Sequence, residues 1–338
     1  MKNNHFCCGI LIVILFAKLF PSIGNAGGIL KPEITVKYIA VSVIFLNSGL
    51  TLPTEELKTA IFQWQLHLLV QGFTFVVFPL IVYGLVSVLQ YTFLHPALLE
   101  GMTILSTMPP PVSSAIILTK SVGGNEAAAV FNSAFGSMLG IFVTPSLILL
   151  LLGSSNVQVP TQKIFQQLFT TVVLPLIIGQ IIRNSQYRWL QRQRIPFRTI
   201  GHVLILFIIY TTFCATFSRT DIQMDTLSLL STIVLIFCLQ LSFMCFLLLF
   251  SSHSMFSFTS NDSVTITYCG THKSLTLGIP VIEIIFEGDP NISFLSVPLL
   301  VYNPMQIVLG GMSISLFRQW LIDQKTKRRK PPFHWYHV

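Results

Sequence analysis

The sequence predicts an all-α polytopic membrane protein of ten transmembrane helices in two inverted five-helix repeats, with the fourth helix of each repeat broken. Three observations carry this. Of 338 residues, 52% are apolar and only 9% charged, where a soluble domain has roughly 45–50% and about 25%. Uncharged windows run over 38–54, 59–99, 101–119, 127–162, 164–182, 199–218, 226–261 and 290–317, most of them long enough to cross a ~30 Å hydrocarbon layer as a helix. Residues 229–250 are apolar on every face apart from Ser, Thr, Cys and Gln, which suits a helix and not the alternation of a barrel strand.

The charge of +8 does not point to nucleic acid. Arg183, Arg188, Arg192, Arg194 and Arg198 fall between two apolar windows, and Arg318, Lys325, Lys327, Arg328, Arg329 and Lys330 follow the last one. Eleven of the twenty basic residues thus flank membrane segments, as an orientation signal does. The tail is a solvated cytoplasmic segment or a patch for anionic membrane lipid.

Spans are expected near 6–20, 34–50, 64–89, 97–122, 125–152, 164–183, 199–217, 226–250, 256–286 and 291–317. The first either stays in the membrane or, because Gly24-Asn25-Ala26 follows it, is a cleaved signal peptide. Ten spans put the amino terminus, the Arg183–Arg198 segment and the basic tail on one side, which is cytoplasmic by the positive-inside rule. The count divides into repeats over 1–158 and 159–320 and a basic tail over 321–338, and an odd number of spans per repeat turns the second upside down.

The fourth span is interrupted at Met108-Pro109-Pro110-Pro111-Val112-Ser113-Ser114, where consecutive prolines remove donors and bar regular helix. The ninth is interrupted at Tyr268-Cys269-Gly270-Thr271-His272-Lys273-Ser274. Paired breaks in corresponding positions point to a substrate site, against which stands a surface loop between two short helices. Lys273 is the most informative residue: a lysine at span centre costs about 2.5–3.5 kcal/mol on insertion scales, so it faces a cavity or a partner, with Asp262 or Glu126 as the candidate partners. His272 can titrate near neutrality or bond a freed carbonyl. On the fifth span Ala128, Asn132, Gly136 and Gly140 form one small row and Ala129, Ser133 and Ser137 the next, a face that admits another backbone closely. The candidate solute and ion site therefore comprises Gln71, Ser113, Ser114, Glu126, Asn132, Ser133, Thr271, His272, Lys273 and Ser274.

The six cysteines make no framework. Cys7-Cys8 is either an acylation site or plain apolar sequence, and Cys214, Cys238, Cys245 and Cys269 lie in apolar windows. The chain has no Walker A loop, H-E-x-x-H or G-x-S-x-G, and no paired carboxylates at depth. An enzyme is not expected, nor any cofactor beyond a coupling ion.

Segments Pro109–Gly124, Asn125–Gly136 and Thr271–Pro280, together with Pro21–Gly24, Lys31–Val36, Asn47–Leu50, Tyr210–Cys214 and Ser296–Leu300, resemble the sodium/bile acid cotransporter family over most of the chain. The resemblance implies a panel domain (spans 1, 2, 6, 7) and a core domain (spans 3–5, 8–10) whose broken helices cross. It also implies two Na⁺ ions behind that crossing in sodium-coupled relatives, with Gln71, Ser114 and Ser133 at or near ligand positions. Ala115 stands where relatives have asparagine, Ala129 where they have a hydroxyl, and Tyr268 at the glutamate. Hard cations prefer charged oxygen ligands, so coupling to Na⁺, to H⁺ or to neither is open. The ammonium of Lys273 then either occupies the cation position permanently or releases a proton.

The expected function is secondary transport of a small, anionic organic solute by alternating access. The alternative is a regulatory membrane protein acting on intracellular calcium homeostasis and the secretory pathway, with which one branch of the resembling family has been associated. Plasma membrane and endoplasmic reticulum or Golgi apparatus are the expected locations, and protein partners are unspecified. With both termini cytoplasmic and the first span retained, tags at residues 1 and 338 should both resist external protease in sealed right-side-out vesicles, and digestion of either tag would defeat this topology.

Overall fold

The computed structural model describes residues 2–25, 27–51, 63–111, 114–153, 166–167, 169–193, 196–218, 226–253 and 258–329. These residues form helices and no strands. Besides a single turn at Pro21–Gly24, the helices are α1 (Lys2–Leu19), α2 (Pro32–Thr51), α3 (Trp64–Leu89), α4 (Pro96–Ser106), α5 (Ser114–Val122) and α6 (Glu126–Leu152). After a π-helical turn at Phe169–Val173 come α7 (Leu174–Gln193), α8 (Phe197–Phe217), α9 (Thr226–Ser251), α10 (Ser260–Thr271), α11 (Leu275–Ile285) and α12 (Ile292–Arg329). Among the described residues α2, α3, α6, α9 and Ile292–Gln324 are each long and apolar enough to cross a membrane, and Gly9–Leu19 and Thr199–Ala215 are shorter apolar helices.

The third and fifth expected spans coincide with α3 and α6, and the fourth and ninth are each divided, into α4 with α5 and α10 with α11. Two ends run further than expected. The sixth span, expected to stop at 183, continues to Gln193, bending at Gln186 (φ −117°). Charge ends membrane burial there but not the helix, since Gln, Arg and Leu are good helix formers. The tenth runs on to Arg329 for the same reason.

Helices α2 and α7 pack at glycines. A Cβ on Gly179 would lie 2.5 Å from the carbonyl of Leu46 and 3.0 Å from the Cα of Gly49, and one on Gly49 would strike the carbonyl of Leu176. Gln180 Nε2 donates to the Gly49 carbonyl at 2.6 Å, and Asn47 Nδ2 to that of Phe197, at the start of α8, at 2.8 Å.

A second junction joins the α5–α6 turn to the start of α10. Gly123 takes φ +93°, a left-handed conformation that favours glycine. Asn125 caps α6 through the Ala128 amide and donates to Asp262 Oδ1 at 2.7 Å. Asp262 closes a capping box with Thr259, so its charge is spent on helix starts.

Gly179→Leu should separate α2 from α7 and cost about 1–3 kcal/mol by overpacking. A thermal melt of the purified protein checks this, and an unchanged midpoint would show that the close approach contributes nothing.

Candidate functional site

The site is built where the two breaks meet. Residues 109–111 are prolines and donate nothing, so the first break presents mainly carbonyl oxygens that need donors from elsewhere. Each carbonyl from 106 to 110 has one. Those of Ser106 and Met108 accept from Lys273 Nζ at 2.7 and 2.9 Å. That of Thr107 accepts from Thr144 Oγ1 at 2.8 Å, that of Pro109 from the Ser274 amide at 2.8 Å, and that of Pro110, at 3.3 Å, shares the Ser137 Oγ proton with the Ser133 carbonyl at 2.8 Å. The Pro109–Ser274 bond ties one break directly to the other.

The third acceptor for Lys273 comes from α3. Between Phe73 and Val77 this helix widens to a π turn, in which the Phe78 amide reaches the Phe73 carbonyl. The next donor in line would be residue 79, a proline, so the Thr74 carbonyl has no backbone partner. Lys273 Nζ donates to it at 3.1 Å. Three carbonyls match the three N–H bonds of an ammonium, and the Phe78 ring lies 4.0 Å from the same nitrogen. Lys273 is fully buried. Neither expected carboxylate partner reaches it: Glu126 pairs with Lys120 at 2.7 Å on the surface, and Asp262 caps helices as described.

The second break is held by α12. Gln306 pairs with both backbone groups of Lys273, accepting from the amide at 2.7 Å and donating to the carbonyl at 3.0 Å. Tyr302 donates to the Thr271 carbonyl at 2.5 Å. His272 is fully buried with Nδ1 3.3 Å from Ser114 Oγ, and Ser274 caps α11 through the Leu277 amide.

A cavity of about 280 Å³ lies over this crossing. It is floored by Pro111, Ser114 and Ser274–Leu277, flanked by Ser137 and Ile141 of α6, and faced by residues 44–51 of α2, Leu176 of α7 and residues 197–205 of α8. It therefore runs from the crossing toward the end of α2 and the start of α8. Helices α5 and α11 begin at its floor, so their partly positive ends meet there. Among the described residues, no Lys, Arg, Asp or Glu lines it. Asn303 does, and its orientation is set: Gln306 Nε2, fixed by the Lys273 carbonyl, also approaches Asn303 Oδ1 at 3.4 Å, leaving the buried Nδ2 without an acceptor among the described residues.

Behind the crossing, Gln71 Nε2 donates to the backbone and side-chain oxygens of Asn132 at 3.0 and 3.2 Å, and Asn132 Nδ2 meets His67 Nδ1 at 2.9 Å. Among the described residues Gln71 Oε1 and Thr74 Oγ1 are buried there without partners, and Ser133 Oγ lies against the Cys269 thiol. The candidate residues thus divide four ways. Ser114, Ser274 and the backbone of Thr271 and His272 form the crossing, and Lys273 lies behind it. Gln71, Asn132 and Ser133 share the α3–α6 seam, while Glu126 is remote. Ser113 lies outside the described residues. Sequence reasoning missed Thr74, Asn303, Gln306 and Tyr302; only the Phe78-Pro79 pair, a proline within an apolar run, signals the freed Thr74 carbonyl.

The model of the SBF-like CPA transporter family matches residues 4–319. The chain is 54% identical over 325 residues to sodium/bile acid cotransporter 7-B of Xenopus laevis, covering 96% of this chain and 94% of that protein. It is 52% identical over 324 residues to sodium/bile acid cotransporter 7 of Mus musculus, covering 96% and 95%.

Lys273→Met should leave three buried carbonyls without a donor, each worth about 1–3 kcal/mol, and lower the thermal midpoint of the purified protein. Adding Asp262→Asn or Glu126→Gln should restore none of the loss. Recovery in either double variant would assign the lysine to that carboxylate.

Proposed function

The chain belongs to the SBF-like CPA transporter family, and from that premise we propose that it carries a small organic anion across a membrane by alternating access. In this reading it has ten spans in two inverted repeats, and Lys273 stands permanently where sodium-coupled relatives take a cation. The observation that carries the reading is the cavity over the crossing of two broken helices, in the kind of position where inverted-repeat carriers bind their solutes. Its volume is at the small end for ligand sites. Its walls are apolar with hydroxyl and amide groups interspersed.

An anionic or strongly accepting group is favoured by two features of the floor. The starts of α5 and α11 present freed amides and the positive ends of helix dipoles. Asn303 Nδ2 adds a buried donor whose partner would be supplied by the solute. The lysine does not touch the solute in this reading, since its three N–H bonds are taken by carbonyls.

The same bonds bear on coupling. The side-chain oxygens of Gln71, Thr74 and Ser133 are neutral, and Tyr268, which turns its hydroxyl to Ser313 at 2.8 Å, offers no carboxylate. The ammonium sits on the carbonyl of Thr74 itself. A neutral donor set beside a fixed positive charge does not suit Na⁺.

The test is uptake by proteoliposomes of a labelled panel of carboxylates and sulfate esters with small apolar bodies. At least one should enter at rates equal within twofold in Na⁺ and K⁺ media, with Asn303→Leu reducing the rate at least tenfold at unchanged protein content. A tenfold stimulation by Na⁺ would overturn the built-in cation. Absence of flux across the panel would favour a regulatory role in calcium homeostasis and the secretory pathway.

A further inference from the structure

Glu283 of α11 is a partly buried carboxylate within an otherwise apolar helix, and such groups mark working parts of membrane proteins. Its Oε1 accepts a hydrogen bond from Thr212 Oγ1 of α8, a hydroxyl whose one proton is shared with the Ile208 carbonyl a turn earlier at 2.8 Å. In the proposed cycle the two residues belong to different bodies, panel and core: α8 packs chiefly on α1 and α2 and α11 chiefly on α12, and α8 and α11 also pack directly on each other, so the bond lies in the seam between the bodies.

The position of the bond matters as much as its partners. On α8 the cavity is lined up to Ile205, and Thr212 lies seven residues further; on α11 it is lined up to Leu277, and Glu283 lies six further. At 1.5 Å per residue, the contact stands roughly 10 Å beyond the cavity along both helices, away from its Thr51 and Phe197 end. Nearby, Tyr210 Oη donates to the Phe20 carbonyl at 3.0 Å, and a Cβ on Gly24 would meet Cys214 Sγ and Tyr210 at 2.9 Å. The α1–α2 connection is thus drawn onto the same stretch of α8. One half of the α8–core seam is open as the cavity and the other half is pinned.

We infer that the Thr212–Glu283 bond is the latch holding the cavity shut toward the far side, and that it must break for the cavity to open there. This rests on the alternating-access reading above and adds to it the contact that opposes one of the two states. Helices that stayed together through the cycle would have no need of a carboxylate at their seam, where apolar packing costs less than burying a polar group.

The experiment uses full-length protein in proteoliposomes carrying Ser48→Cys as a reporter in the cavity, labelled from either side with a membrane-impermeant methanethiosulfonate. The parent without the reporter gives the background of the native thiols. Thr212→Val and Glu283→Ala should each raise labelling from the far side at least fivefold and lower it from the Phe197 side. Glu283→Gln, which keeps an acceptor oxygen, should stay within twofold of wild type. The reciprocal fall separates a latch from a structural pin, because loosening the fold raises labelling from both sides. Unchanged labelling, or a rise on both sides, would overturn the latch while leaving the carrier reading intact. A reporter that reacts from neither side in the wild-type background would overturn the cavity, and the latch with it.

Discussion

Breaking a helix at membrane depth leaves carbonyls that no water can satisfy, and the core of this molecule is organised around that constraint. Lys273 is the principal answer. Its ammonium gathers the open end of α4 and the Thr74 carbonyl freed by the π turn before Pro79. Three elements distant in sequence are thereby held by one nitrogen. Removing the charge would strand the acceptors as well as lose the bonds.

The same constraint explains why helices that do not carry the lysine are specified so closely. Ser137 and Thr144 on α6 answer the carbonyls of Pro110 and Thr107. For α6 to approach so near, Gly136 and Gly140 must lack side chains: a Cβ there would lie 2.8 and 2.6 Å from ring atoms of Pro110 and Pro109. The small row of α6 is thus a packing surface first. On the other side, Gln306 reads the backbone of residue 273 and thereby aims Asn303 into the cavity. A structural bond and the proposed recognition group thus belong to the same network.

Much of the fold was legible because bilayers punish charge: the spans expected inside the uncharged windows, 64–89 and 125–152, match α3 and α6 to within about a residue at each end, and the proline triplet and the Gly-Thr-His-Lys run located the breaks. Lys273 stood out by the same rule. The rule fails where charge is no longer excluded, which is why α7 and α12 outrun their hydropathy. It also misled by offering Asp262 and Glu126 as partners, when backbone oxygens, invisible in a residue list, serve the lysine. Glu283 was overlooked because it stands inside an expected span counted for its length, and its partner lies 71 positions away. Asn303 and Gln306 are uncharged, and their meaning depends on a backbone 33 positions distant.

A cation that is part of the chain cannot be drawn from a reservoir. Ions taken from solution bring the free energy of their gradient; in the proposed reading Lys273 brings none, and its charge is there whatever the medium contains. A carrier built this way, unless some other ion rides with the solute, only equilibrates it. For a monovalent anion the endpoint is set by the solute's own concentrations and the membrane voltage: at about 2.3 kcal/mol per 100 mV and 1.4 kcal/mol per tenfold ratio, roughly 60 mV holds a tenfold difference, with the anion depleted from the negative compartment. The proline-rich break and the lysine that closes it would thus decide the direction of net flow as well as the shape of the site.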